Sequence, residues 1–265
     1  MSRSDVLVYV LFHTVAIYSV SEGFNRLNLV TSVDQYMNLC LDGKYHKDRP
    51  TIETGLNKSV CNSWASLSCC SSMNFNNASS TSLYSFTHSH CGNMSEKCQQ
   101  VFINDLCFYQ CSPNLGPWLV KVTRKISSER MYHVPLCQSE CNYWWDSCKS
   151  DSTCVTNWHT HFNWSTGTNV CPQSSSCSTI QSIFKDAKTF CESIWDDGFK
   201  VVPDNENSGC MVFNERSGVS IIENNRIVAQ RRATEIIGLL NGTCRSSIMN
   251  TLLLLPLLFV MIGHL

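Results

Sequence analysis

The sequence contains no Cys-x2-Cys pair, although 17 of its 265 residues are cysteine. Structural zinc needs such pairs, or Cys/His clusters at matching intervals, so a resident metal is not expected. A Gly-x-Ser-x-Gly elbow is also missing, and no other nucleophile signature stands in for it, which argues against an enzyme. The formal net charge is −1, so there is no basic excess to bind nucleic acid. Internal repeats and long linkers are absent, and strand signals are short and few. Finally, no apolar run reaches the roughly 20 residues of a membrane span with basic residues after it.

What is present explains the cysteines. Residues 1–21 carry Arg3, the mostly apolar VLVYVLFHTVAI, and Ser19-Val20-Ser21 before Glu22, the pattern of a cleaved secretory signal. Sequons follow at Asn57, Asn77, Asn93, Asn163 and Asn241. Secretion makes disulfides the expected state of the thiols. The other end, TLLLLPLLFVMIGHL from Thr251, is short, apolar and without a following Lys or Arg. Behind a polar spacer of about 8–12 residues it reads as a glycolipid-anchor signal. Attachment at Asn241 removes Cys244 and leaves an even sixteen cysteines for eight bridges: Cys40, Cys61, Cys69, Cys70, Cys91, Cys98, Cys107, Cys111, Cys137, Cys141, Cys148, Cys154, Cys171, Cys177, Cys191 and Cys210. The four sequons before it, Asn57, Asn77, Asn93 and Asn163, remain as glycosylation sites. The expected organisation is a signal peptide (1–21), one domain (22–214), a membrane-proximal stalk (215–241) and a removed propeptide (242–265).

Cysteines and aromatics recur at three- or four-residue intervals over Glu96–Cys111, Leu136–Ser150 and Ile180–Asp196, predicting helices. The stretch DLCFYQCSPNLGPW, from Asp105 to Trp118, ends the first of these. Cys107 and Cys111 are four apart and can bridge two different neighbours, and Asp105 and Tyr109 share a face by the same spacing. An acid and a flat ring on one face, beside two crosslinks, suit a planar heterocycle with N–H donors. The alternative is that Asp105 merely caps a helix start. The adjacent pair Cys69-Cys70 can tie two segments to one point. Trp144 and Trp145 are expected to pack against bridges, whereas Trp158, His159, Trp164 and Trp195 could equally wall a ligand.

CSPNLGPW, VPLCQSEC followed by WW and C, NWH…NW, HCG, CESIWDDGFKV and the order of sixteen cysteines together resemble the folate receptor family, over about Asn38 to Phe213. That family includes glycolipid-anchored folate receptors, riboflavin-binding proteins and the egg-surface receptor Juno. The resemblance implies an α+β fold, mainly helical with short strands, held by eight disulfides around an open pocket. It assigns Asp105 to the pterin ring nitrogens, Tyr109 and Trp195 to a sandwich around the ring, and Arg130 to the pterin carbonyl. It places Tyr84, Phe86 and Trp158 around the middle of folate and His159 and Trp164 near its glutamate tail. Departures cluster: Ile126 stands for a tryptophan, Ser127 for a second arginine, Thr160 for a lysine, Phe162 for a tryptophan and Gly198 for a serine. The expected function is that of a surface receptor, anchored in the outer leaflet by glycolipid, taking up folate or another pterin by endocytosis. Folate is then a ligand rather than a cofactor. The alternatives are a Juno-like egg receptor for a sperm-surface protein, with reduced folate binding, and, ranked lower, riboflavin binding.

Overall fold

The computed structural model describes residues 25–75, 84–124, 127–204, 209–214 and 220–262, those from 243 onward as backbone only. The proposed signal peptide, the Asn77 sequon and Ile126 lie outside these residues. Residues up to Thr31 form a unit of their own, in which Asn25 caps a single 3-10 turn, Arg26–Leu29. Ser32 begins the second unit, which carries all eight disulfides.

Among the described residues this unit has six α-helices and eight short strands, the helices being α1 (Val33–Met37), α2 (Glu96–Cys111), α3 (Gln138–Cys148), α4 (Ile180–Phe184), α5 (Ala187–Ser193) and α6 (Ile221–Ile262). The strands are β1 (His46–Thr51), β2 (Ser68–Cys70), β3 (Leu119–Lys121), β4 (Glu129–Met131), β5 (Val134–Cys137), β6 (Ser152–Thr153), β7 (Ser178–Thr179) and β8 (Phe199–Val202). They pair only two by two: β1–β2, β3–β4 and β6–β7 antiparallel, β5–β8 parallel. No sheet is wide enough to hold a layer together, so the crosslinks do that work.

Helix α2 is the axis. Ser95 caps its start, its hydroxyl accepting from the Cys98 amide, and Asp151 fixes Ser95 through both the amide and the hydroxyl. Three cysteines along the helix then reach three different elements: Cys98 to Cys148 at the end of α3, Cys107 to Cys61, and Cys111 to Cys70 in β2. Cys69, beside Cys70, bridges to Cys40, so the adjacent pair does gather two segments at one point. The remaining bridges are Cys91–Cys177, Cys137–Cys210, Cys141–Cys191 and Cys154–Cys171. All eight close loops of 17 to 86 residues, each removing chain entropy from the unfolded state.

The core between α2, α3 and α5 is aromatic. The fully buried Trp144 meets Phe102, Phe190 and Phe213 edge-on, at 5.3, 5.1 and 5.3 Å between ring centres. The helix read over Ile180–Asp196 is two helices. Lys185 adopts a left-handed conformation (φ 73°) and Asp186 caps a new start, its carboxylate accepting from the Thr189 amide.

The segment expected to be a stalk is helical from Ile221, and its first turns belong to the body. Ile221, Asn225, Val228, Ala229 and Ala233 are buried, and α6 lies against α1 and the Gly116–Trp118 turn. The Asn225 side chain docks like a strand, donating to the Val212 carbonyl and accepting from its amide. A boundary at 214 therefore cuts through packed structure. Cysteine spacing could not show this, because among the described residues the buried face of α6 carries Ile221, Asn225, Val228, Ala229 and Ala233 and no cysteine. Among the described residues, no helix is long and apolar enough to cross a membrane.

Candidate functional site

Asp105 lies in the third turn of α2, well past the start of the helix, so it is not a cap. It is 3 % exposed. Its Oδ2 accepts the indole N–H of Trp195 at 2.7 Å, while Oδ1 is buried and has no hydrogen-bond partner among the described residues. An unpaired buried acceptor costs about 1–3 kcal/mol, more when charged, so the helix carries a group that the fold alone does not satisfy. Burial accordingly pushes the Asp105 carboxyl up to about 8, against the smaller opposing pull of the Trp195 bond.

Tyr109 follows one turn later. Residue 113 is proline and offers no N–H to close the helix, so the Tyr109 carbonyl is left for the His46 ring, which meets it through Nε2 at 3.1 Å. The two rings also meet edge-on at 5.4 Å. Burial pushes the Tyr109 phenol up to about 12 and holds the His46 imidazole below its usual range. Next along α2, Gln110 donates from Nε2 to the Tyr84 hydroxyl at 2.6 Å. Tyr84 is one of two consecutive left-handed residues, with Ser85 (φ 63° and 58°).

Phe86 gathers the remaining aromatics, with Trp158, Trp164 and Trp195 at 5.6, 6.2 and 5.8 Å. Its segment is tied to the 163–170 loop by Asn169, whose side chain bonds both the amide and the carbonyl of Thr87. Trp158 differs from the others. It is fully buried, stacks on Phe102 at 4.7 Å and 11°, and donates its indole N–H to Thr153. It stands behind the site as a core residue. Trp158→Ala is expected to cost about 3–5 kcal/mol of stability, read as a lowered midpoint in denaturant; an unchanged midpoint would remove it from the core.

Arg130, on β4, donates from Nη1 to the Asp196 carbonyl and lies 3.5 Å from its Oδ2. His159 is pushed down to about 4 by burial, then by Arg124, with Asp196 opposing. Sequence reading missed Arg124, Asp196 and His46. Arg124 pairs with Asp196 at 2.9 Å. No spacing pointed to that pair; the only signal was the acid directly after Trp195.

The departures also have places. Ser127 pairs with Gly43 in an isolated bridge. Thr160 is exposed and its amide is held by Asn157 Oδ1. Phe162 is buried and meets His90 edge-on at 4.6 Å. At Gly198 a Cβ would lie 3.1 Å from Met131 Cε and 3.2 Å from the Trp195 carbonyl, so a serine there requires Met131 to move. Asn57, Asn93, Asn163 and Asn241 are exposed. Groupings of ligand-type side chains such as His90, Cys91 and Cys154 draw on cysteines already committed to bridges.

A model of the folate receptor family matches residues 39–212. The chain belongs to the folate receptor family. Similar proteins include human folate receptor gamma, 39 % identical over 175 residues (65 % of this chain, 71 % of that one). Bovine folate receptor alpha is 38 % identical over 175 residues (65 % and 72 %). The riboflavin-binding protein of Gallus gallus is 31 % identical over 188 residues (69 % and 74 %). These relatives are named for receiving or binding a vitamin. That agrees with reading this folate receptor family member as a binding protein rather than an enzyme. The matched span contains Asp105, Tyr109, Trp195 and Arg130 and ends before α6, which the packing nevertheless joins to the same body.

Proposed function

We propose that this protein is a cell-surface receptor that binds folate or a related pterin and carries it inward by endocytosis. One observation carries the reading: a buried carboxylate oxygen, Asp105 Oδ1, without a partner, on a helix face shared with Tyr109 and bonded through Oδ2 to Trp195. A carboxylate with a free acceptor between two aromatic side chains matches a flat ring with adjacent N–H donors. In this reading Arg130 meets the ring carbonyl, with Tyr84, Phe86, His159 and Trp164 around the remainder. The names of the folate receptor relatives support the same ligand class.

Anchoring by glycolipid at Asn241 fits the pairing of sixteen cysteines, since the seventeenth, Cys244, lies beyond that residue. Release of the protein from intact cells by a phosphatidylinositol-specific phospholipase is the expected result; retention on the membrane would refute the anchor.

Equilibrium binding of labelled folate to cells expressing the full chain tests the function. Saturable binding at neutral pH, competed by unlabelled folate and not by riboflavin, is expected. Absence of binding at micromolar ligand would favour the second reading, an egg-surface receptor for a sperm-surface protein. The changed positions, exposed Thr160 and buried Gly198 with Met131 against it, speak for that reading, and the retained Asp105 speaks against it.

A further inference from the structure

Asp196 directly follows the Trp195 that bonds Asp105, and its side chain is 30 % exposed where Asp105 is buried, so one turn runs from the floor of the site to its rim. Both Asp196 and Asp197 are left-handed (φ 59° and 57°), a conformation that aspartate and asparagine tolerate better than most residues. Backbone bonds fix the turn: Asp196 and Asp197 amides to the carbonyls of Ser193 and Glu192, and the Gly198 amide to Trp195. The turn therefore aims the Asp196 carboxylate rather than leaving it to choose a direction.

That carboxylate is fully engaged. Oδ1 accepts from Asn157 Nδ2 at 3.0 Å, and Oδ2 meets Arg124 at 2.9 Å and Arg130 at 3.5 Å. The Asp196 carbonyl takes a further N–H from Arg130. The two guanidiniums of the rim thus share one internal anion. Asn157, which holds Asp196 on one side, accepts the His159 and Thr160 amides on the other, so the cluster borders the outer segment of the site. Residues 156–164, TNWHTHFNW, include no Lys or Arg. His159 is kept neutral at physiological pH by burial and by Arg124, and adds no cation.

We propose that Asp196 makes this pocket select planar heterocycles whose outer end is uncharged, by occupying Arg124, the guanidinium beside His159 that would otherwise receive an anionic tail. The inference rests on Asp105 being the head-group acceptor. A ligand carboxylate arriving at the rim would exchange one carboxylate partner of Arg124 for another and face the charge of Asp196 at the same time. It gains little and meets repulsion.

Two probes separate the terms: folic acid, with its dianionic glutamate, and the same pterin–aminobenzoyl frame ending in an uncharged amide. Both are titrated calorimetrically into the full chain in mild detergent. The amide is expected to bind at least as tightly as folic acid. Asp196→Asn, which keeps the left-handed turn, is expected to strengthen folic acid by about tenfold or more relative to the amide. Preference of the unmodified protein for folic acid by about tenfold, or an unmoved ratio in Asp196→Asn, would overturn the inference while leaving the head-group site intact. Failure of the folded protein to bind either probe would instead remove the head-group reading, and this inference with it.

Discussion

Replacing Asp105 with asparagine is expected to raise the melting temperature of the ligand-free protein and to abolish tight pterin binding. The stability half follows from linkage. The folded-state pKa is about 8 against an ordinary 3.8. Between those values the unfolded chain is ionised and the folded chain holds a proton, so stability falls as pH rises from about 4 to about 8. At roughly 1.4 kcal/mol per pH unit, the carboxyl costs on the order of 4 kcal/mol at pH 7. Asparagine has no such term. Its carbonyl can still accept from Trp195, and its unpaired amide replaces an unpaired acid group of similar cost. A gain of about 2–4 kcal/mol is expected, visible as a rise on the order of 5–10 °C. It should shrink as pH is lowered towards 4.

The binding half follows from chemistry. An amide cannot offer a charged acceptor to two N–H donors, and losing charge-assisted bonds costs about 1.5–3 kcal/mol each. A loss of at least about a hundredfold in affinity is expected by calorimetry. A variant that is more stable and still binds folate as tightly would show that the ligand sits elsewhere. Gain of stability with loss of binding is what a site built against folding preference must show.

How much of this could be read from residues depends on how local the cause is. Helix α2 was legible to both ends, because Ser95, the cysteine spacing and Ser112-Pro113 all act within a few residues of it. Asp105 and Tyr109 were legible for the same reason, since four-residue spacing on a helix is a local fact. Asp196 was not, because its role depends on Arg124 and Arg130, which lie 72 and 66 residues away, and on a left-handed turn that no periodicity announces. For Trp158 the sequence left open whether it walls a ligand or packs in the core, and the structure buries it fully. Its neighbours His159 and Trp164 remain partly accessible, but the Phe102 stack and the Thr153 bond draw Trp158 inward. The docking of α6 escaped because Asn225 does what an apolar side chain would have advertised.

Ligand affinity is expected to fall as pH falls, with Asp105 as the group responsible. In the ligand-free protein the carboxyl holds its proton up to about 8. A ring presenting N–H donors requires the carboxylate, so each binding event below that pH must expel a proton, and affinity drops by up to about tenfold per pH unit. His159 and His88 are pushed down to about 4 by burial, below this window; burial also lowers His46 and His90, and Asp196 is lowered by its partners Asn157, Arg130 and Arg124 against its own burial. Titration from pH 7.4 to 5.5 in two buffers of different ionisation enthalpy measures both the affinity and the released proton. One proton released per ligand, with a slope that vanishes in Asp105→Asn, is the expected result. Affinity that instead strengthens in acid would mean that Asp105 binds as the neutral acid, donating its own proton to a ring nitrogen. The ligand would then be a heterocycle with an acceptor at the position where pterin offers a donor.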